Sequence, residues 1–241
     1  MHTYIATAAL KGFERHATVY RTGPLAHPVE RVHGMDEVRG SSPLGSTMFD
    51  DLSLRIALGI AAIISLFLYF VTNRGRARYF LETAIDRKIP FIPAAVVPYM
   101  LFIPCVITTL WILFSTPYAI EGYTALIIGI LMGSALRLMA RTGIRQPQIR
   151  RKDIFSRIIH WLYLHDDRAR TFPSTHVLVA SILGFYVALA FPMYAVSVVS
   201  LAVLIILSTL LIKQHYIIDV IGGFLVAGGA VATVSWLFAA I

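Results

Sequence analysis

His215 and Asp219 stand four residues apart at the mouth of an apolar segment, in the run Ser208-Thr209-Leu210-Leu211-Ile212-Lys213-Gln214-His215-Tyr216-Ile217-Ile218-Asp219. On a helix this spacing puts both side chains on one face, one turn apart. A carboxylate so placed orients an imidazole and stabilises its cationic form. Ionisable groups within an apolar segment cost roughly 3 kcal/mol or more, and they mark function more often than packing. His176, in Phe172-Pro173-Ser174-Thr175-His176, opens a second apolar segment. Phosphoryl transfer suits such a set, since it needs an in-line nucleophile, cations around the equatorial oxygens and a proton for the leaving oxygen. Pro173-Ser174-Thr175 ahead of a helix would offer free N–H groups and a positive dipole end to an anion. Arg145, then Arg141, are the expected guanidinium clamps. The rival use of the same side chains is a metal site, because two histidines and a carboxylate bind iron or zinc.

Those residues need a membrane scaffold to position them. The 241-residue chain is 57% hydrophobic, with a mean hydropathy of +0.73; soluble domains carry about 45–50% apolar residues. The net charge is +8, and nine of the 21 Lys and Arg fall between Arg137 and Arg170. Between membrane spans, such a cluster meets anionic headgroups or phosphorylated lipid rather than nucleic acid. The lone Cys105 lies in an apolar run, where it packs or faces lipid and excludes an intrachain disulfide.

Six apolar stretches approach the roughly 20 residues that a helix needs to cross the hydrocarbon. They run Leu54–Val71, Phe91–Phe114, Tyr123–Ala140, His176–Met193, Val196–Ile212 and Ile217–Ala240. The expected fold is an all-α integral membrane protein, a six-helix transmembrane bundle with a basic loop between the third and fourth spans. Arg137 is expected to snorkel from the end of the third span. Gly222, Gly223, Gly228 and Gly229 are expected to let the last span approach its neighbours closely. Residues 1–50 mix Gly, Pro, His and both charge signs without periodicity and are expected to form a flexible tail. Threading six spans puts the 73–90, 141–175 and 213–216 connections on one side, so His176, His215 and Asp219 converge there beside the basic loop. The positive-inside rule makes that side cytoplasmic, while Lys11, Arg15, Arg21, Arg31 and Arg39 in the tail pull the other way.

Pro173-Ser174-Thr175-His176 resembles the P-S-G-H signature of the type 2 phosphatidic acid phosphatase superfamily. Ser208, His215 and Asp219 keep the spacing of its S-R-x-x-x-x-x-H-x-x-x-D signature, and the resemblance covers roughly Leu54 to Ile241. Three departures stand out. Thr175 replaces the glycine, Thr209 replaces the arginine, and the K-x-x-x-x-x-x-R-P signature survives only as Arg141-Thr142-Gly143-Ile144-Arg145-Gln146-Pro147. Lys213 is the expected substitute for the missing cation. Lys213-Gln214-His215-Tyr216, with Asp219 and Gly222-Gly223, looks more like the branch containing inositol phosphorylceramide synthases.

The resemblance implies His215 as nucleophile forming a phosphohistidine, Asp219 as its orienting carboxylate, and His176 as the acid that protonates the leaving group. It implies phosphate contacts from Ser174, Thr175 and Ser208, and no metal or cofactor. Residues 51–241 are then a six-helix transmembrane phosphatase or phosphotransferase domain. Its partners are a lipid phosphate substrate and the bilayer, without nucleic acid, in the bacterial cytoplasmic membrane. The substrate would resemble phosphatidic acid, phosphatidylglycerol phosphate or a polyprenyl phosphate. The alternative is transfer of a phosphorylated headgroup such as phosphoinositol to a lipid or polyol alcohol. An inert lipid-binding relative is a further reading, motivated by Thr209.

Overall fold

The computed structural model describes residues 44–73, 75–149, 153–165 and 169–240, without the side chains of residues 44–50 and Phe70. Most of the expected tail lies outside the described residues, as do Arg150, Arg151, Lys152, Asp166 and Asp167. The first helix, α1 (Leu44–Thr72), begins inside the stretch expected to be tail. In the sequence Pro43 immediately precedes it, and proline is favoured where helices start.

Among the described residues, five helical stretches are long and apolar enough to cross a membrane: Asp51–Tyr69, Pro93–Phe114, Ala119–Ala140, Pro192–Leu211 and Ile217–Ala239. Helices are the form expected there, because hydrocarbon offers the backbone no outside partner. The second stretch is broken into a short 3-10 turn, α3 (Val96–Met100) and α4 (Phe102–Phe114). Pro104 lacks the N–H that would continue the ladder to Met100, which accounts for the break at Leu101. Helix α5 (Ala119–Ala140) is unbroken. The remaining apolar helices are α7 (Thr175–Ala190), α8 (Ala195–Leu211) and α9 (Ile217–Ala239). At 16 residues, α7 falls short of the length expected of a span.

Helix α7 is nevertheless central, packed against α4, α5, α8 and α9, while α1 lies along α5. Tyr186, Ile182 and Leu178 of α7 meet Leu113, Leu126, Ala230 and Val234 in one buried core. The outward faces carry bare apolar side chains, with Trp111 81%, Leu225 72% and Trp236 70% exposed. So much exposed apolar surface on long helices is that of an integral membrane protein.

The connection expected to be a basic loop contains a further helix, α6 (Ile154–His165). Asp153 starts it, accepting from the Ser156 N–H at 3.0 Å and the Ser156 hydroxyl at 2.8 Å. Its inner face puts Ile159, Leu162 and Tyr163 against Val96, Tyr99 and Ile212. This amphipathic pattern is why the segment folds rather than loops. Two short strands, β1 (Tyr79–Phe80) and β2 (Thr142–Gly143), pair in parallel, and Gly143 bridges Ala169. A five-residue helix, α2 (Ala84–Lys88), and a 3-10 turn at Pro192–Tyr194 complete the described elements.

Candidate active site

One end of the bundle gathers the C-termini of α1 and α5 with the N-termini of α7 and α9. The Ser174 N–H donates to the Asp219 carbonyl at 3.0 Å, tying the two N-termini together. Ser174 caps α7, its hydroxyl accepting from the Val177 N–H at 3.5 Å. Close approach depends on Gly223, where a Cβ would stand 2.7 Å from Val177 Cβ and 2.8 Å from the Ser174 carbonyl oxygen. A Cβ at Gly222 would run into the Phe172 ring, whereas at Gly228 it would meet nothing within 4 Å. The sequence expectation of close packing thus holds for Gly222 and Gly223 and not for Gly228. Gly223→Ala should therefore destabilise by about 1–3 kcal/mol and cut activity, while Gly228→Ala should hold or gain about 1 kcal/mol. Thermal unfolding in detergent with a parallel turnover assay checks both.

The approach brings the three sequence-predicted residues together. His215 Nδ1 lies 3.5 Å from Asp219 Oδ2. The ring centroids of His176 and His215 are 5.8 Å apart, edge to face. His176 is also packed between Tyr99 at 4.7 Å and Phe102 at 4.4 Å. Both histidines are buried, and Asp219 is fully so. Asp219 Oδ2 accepts from the Tyr216 N–H at 3.0 Å, which fixes the carboxylate over the first turn of α9.

A small pocket of about 10 Å³ opens onto His215, lined also by Arg137, Arg170, Asn73, Gln214 and Thr175. Arg137 was expected to snorkel; it turns inward instead and is 2% exposed. Its guanidinium donates to the Thr72 hydroxyl at 2.9 Å and to the Thr175 hydroxyl, and lies 5.1 Å over the Tyr69 ring. Two hydroxyls and an aromatic face satisfy it better than a retreat to the membrane surface. Thr175, the departure from glycine, thus helps Thr72 and Tyr69 hold Arg137.

Arg170, which sequence reading did not single out, has a backbone φ of 62°. Its N–H donates to the Thr142 carbonyl, as does that of Thr171 at 3.2 Å, and the Phe172 N–H donates to the Thr142 hydroxyl at 3.0 Å. Buried Thr142 thus aims the Arg170 side chain, whose Nη1 reaches the Thr72 carbonyl at 3.0 Å. Its Nε and the Gln214 Nε2 are buried without a hydrogen-bond partner. Two guanidiniums and unsatisfied donors beside an imidazole make a site for an anion.

The other expected contacts lie elsewhere. Arg141 ends α5 in the left-handed region at φ 48°, exposed, its carbonyl accepting from the Arg78 N–H at 2.7 Å. Arg145 is 70% exposed and pairs with Glu82 at 3.6 Å. Ser208 is buried, its hydroxyl returned to the Ile205 carbonyl at 2.5 Å, and Thr209 repeats this with Ile206 at 2.7 Å.

Lys213 faces α2: its Nζ donates to the carbonyls of Asp86 at 2.9 Å and Ile89 at 2.7 Å. Burial holds its ammonium below the ordinary lysine pKa, against the opposing pull of Asp86 and Glu82. Buried Asp86 in turn accepts from the Ile217 N–H at 2.8 Å. Lys213 and Asp86 thereby clamp the turn that carries His215, and Tyr163 of α6 adds a hydrogen bond to the Ile212 carbonyl. Asp86→Ala strands the Ile217 N–H and frees this turn. It should cost about 1–3 kcal/mol and lower kcat more than it raises KM, as steady-state kinetics beside thermal unfolding would reveal.

Among the described residues, no three His, Cys, Asp or Glu side chains are grouped to hold a metal ion. Residues 141–240 match the family model described as the PAP2 superfamily, consistent with the type 2 phosphatidic acid phosphatases named from the motifs. Members of that superfamily are generally phosphatases or phosphotransferases, and the matched stretch contains His176, His215 and Asp219. Comparisons with curated proteins and with solved structures gave no match.

Proposed function

We propose that this chain is a membrane-embedded lipid phosphate phosphatase working through a phosphohistidine on His215. The observation that carries the reading is the shared pocket of His215, Arg137 and Arg170, backed by Asp219 and faced by His176. The lipid phosphate sits between the guanidiniums. His215 attacks phosphorus through the ring nitrogen turned away from Asp219, forming a P–N bond as the P–O bond to the lipid breaks. Asp219 stabilises the cationic ring, and His176 gives its proton to the leaving alkoxide. Water, deprotonated by His176, then attacks the phosphohistidine and releases phosphate. None of these steps requires a metal.

Six helices cross the bilayer in this reading, with α7 as the sixth, and the lipid tails lie between helices while the phosphate meets the arginines. The bacterial cytoplasmic membrane is the proposed location. Transfer to an alcohol in place of water is the second reading, favoured by the Lys213-Gln214-His215-Tyr216 string and by the burial of both histidines, which limits water. Detergent-purified protein given phosphatidic acid, phosphatidylglycerol phosphate and a polyprenyl phosphate, with chelator present, should release phosphate from at least one. Capture of the phosphoryl group by added alcohol, faster than free phosphate appears, selects transfer. No turnover of any lipid, with headgroup binding retained, sinks both.

A further inference from the structure

Beside the His215 pocket lies a wider recess of about 410 Å³, walled by Gly75, Ala77 and Ala169 and furnished with Phe80, Arg145 and Gln146. The two hollows share a partition. Gly75 and Ala169 flank Arg170, whose Nη2 comes within 3.0 Å of the place a Gly75 Cβ would occupy. On the other side the Arg145 N–H donates to the hydroxyl of Tyr216, next to His215, at 3.1 Å. The recess therefore adjoins the His215 pocket, with Arg170 and Tyr216 standing between them.

Its polar groups have a particular character. The Arg145 guanidinium lies 5.0 Å over the Phe80 ring and 3.6 Å from the Glu82 carboxylate. Both amide atoms of Gln146 are buried and without a hydrogen-bond partner. Buried amides in folded proteins are nearly always satisfied, so an unpaired one points to a missing partner. Arg145 and Glu82 cancel in charge, so a second phosphate would meet a carboxylate as well as a guanidinium. A hydroxyl both donates and accepts, which is what a guanidinium, a carboxylate and a carboxamide together demand. The exposed Phe80 ring adds an apolar platform for the C–H face of a ring.

We infer that this recess is a polyol subsite, built for the hydroxyl-rich part of a donor headgroup or of an acceptor alcohol. It rests on the phosphoryl-transfer reading for its role, though not for its existence. Binding is therefore tested apart from turnover. The full chain carrying His215→Ala, in detergent, is titrated with myo-inositol, with glycerol and with inorganic phosphate while thermal unfolding is followed. Stabilisation by a polyol is expected to persist in His215→Ala and to weaken at least about tenfold in apparent affinity in Phe80→Ala and Gln146→Leu. Absence of polyol stabilisation in both the wild type and His215→Ala overturns the assignment, as does equal binding in the recess variants. Phosphate binding lost in Arg145→Ala would also overturn it, making the recess an anion site. If polyol binds but no lipid is turned over, the functional reading fails and the subsite stands. In the active protein, a phosphorylated alcohol formed from a lipid that carries that headgroup, with no alcohol added, identifies the donor headgroup as occupant; its formation from a lipid phosphate only when free alcohol is added identifies the acceptor.

Discussion

His215→Ala is expected to lower lipid phosphate turnover by about 10⁴-fold or more, because the nucleophile is removed outright. His176→Ala should cost about 10²–10⁴-fold, the usual worth of one positioned acid or base. The two losses differ in kind. His176 serves the leaving oxygen, so an aryl phosphate analogue, whose leaving group departs without a proton, should recover much of the His176→Ala deficit. It should recover none of the His215→Ala deficit. Acid-labile label on the protein after brief incubation with ³²P-labelled lipid should be present in the wild type and absent from His215→Ala. Full activity in His215→Ala, or label that survives it, removes His215 as nucleophile. Asp219→Asn leaves the shape of the site intact and tests the carboxylate alone; the buried 3.5 Å contact with Nδ1 implies a loss in kcat rather than in binding.

Arg137→Ala is the second large effect. The side chain is a phosphate ligand in this reading, and it also ties the end of α1 at Thr72 to the start of α7 at Thr175. Removing it takes the donor from the buried Thr175 hydroxyl, a cost of about 1–3 kcal/mol, while Thr72 keeps its bond to the Leu68 carbonyl, and it takes a cation from the pocket. Stability and activity should fall together. Arg137→Lys separates the two roles, since it keeps charge and much of the volume but loses the planar fork. We expect its thermal midpoint to move little while inhibition by inorganic phosphate weakens by about tenfold or more. Unchanged phosphate inhibition in Arg137→Lys and Arg170→Lys would mean that the pocket does not hold the substrate phosphate.

Sequence spacing made His176, His215 and Asp219 legible, although His215 lies in the turn before α9 rather than on the helix, and meets Asp219 because that carboxylate caps the turn through the Tyr216 N–H. It misjudged the cations. Arg137 was passed over as a snorkelling residue, although the cost that singled out His215 applies equally to an arginine within an apolar span. Arg145 and Arg141 are the clamps that the fit of a planar fork to phosphate oxygens leads one to expect. The left-handed turn at Arg141, which ends α5, exposes one and sends the other to Glu82 and Phe80. Arg170 had no local signal at all: its direction is set by Thr142, 28 positions earlier, through a hydrogen bond that periodicity cannot reveal. Lys213 illustrates the same limit, since its partners Asp86 and Ile89 are more than 120 positions away. Helix α6 was legible in its Ile, Leu and Tyr spacing but was overshadowed by the arginines around it.

Helix α7 carries one more consequence. Its 16 residues rise about 24 Å, against a hydrocarbon thickness of about 30 Å. The shortfall falls on a helix whose first turn holds Thr175 and His176. In the six-span reading its neighbours α4, α5, α8 and α9 enclose most of it, so the shortfall is met by headgroups and water sinking toward that turn. Hydrophobic mismatch would thus bring an anionic headgroup down to the histidines without pulling its acyl chains out of the bilayer, and make the surrounding membrane's thickness part of the enzyme's access route.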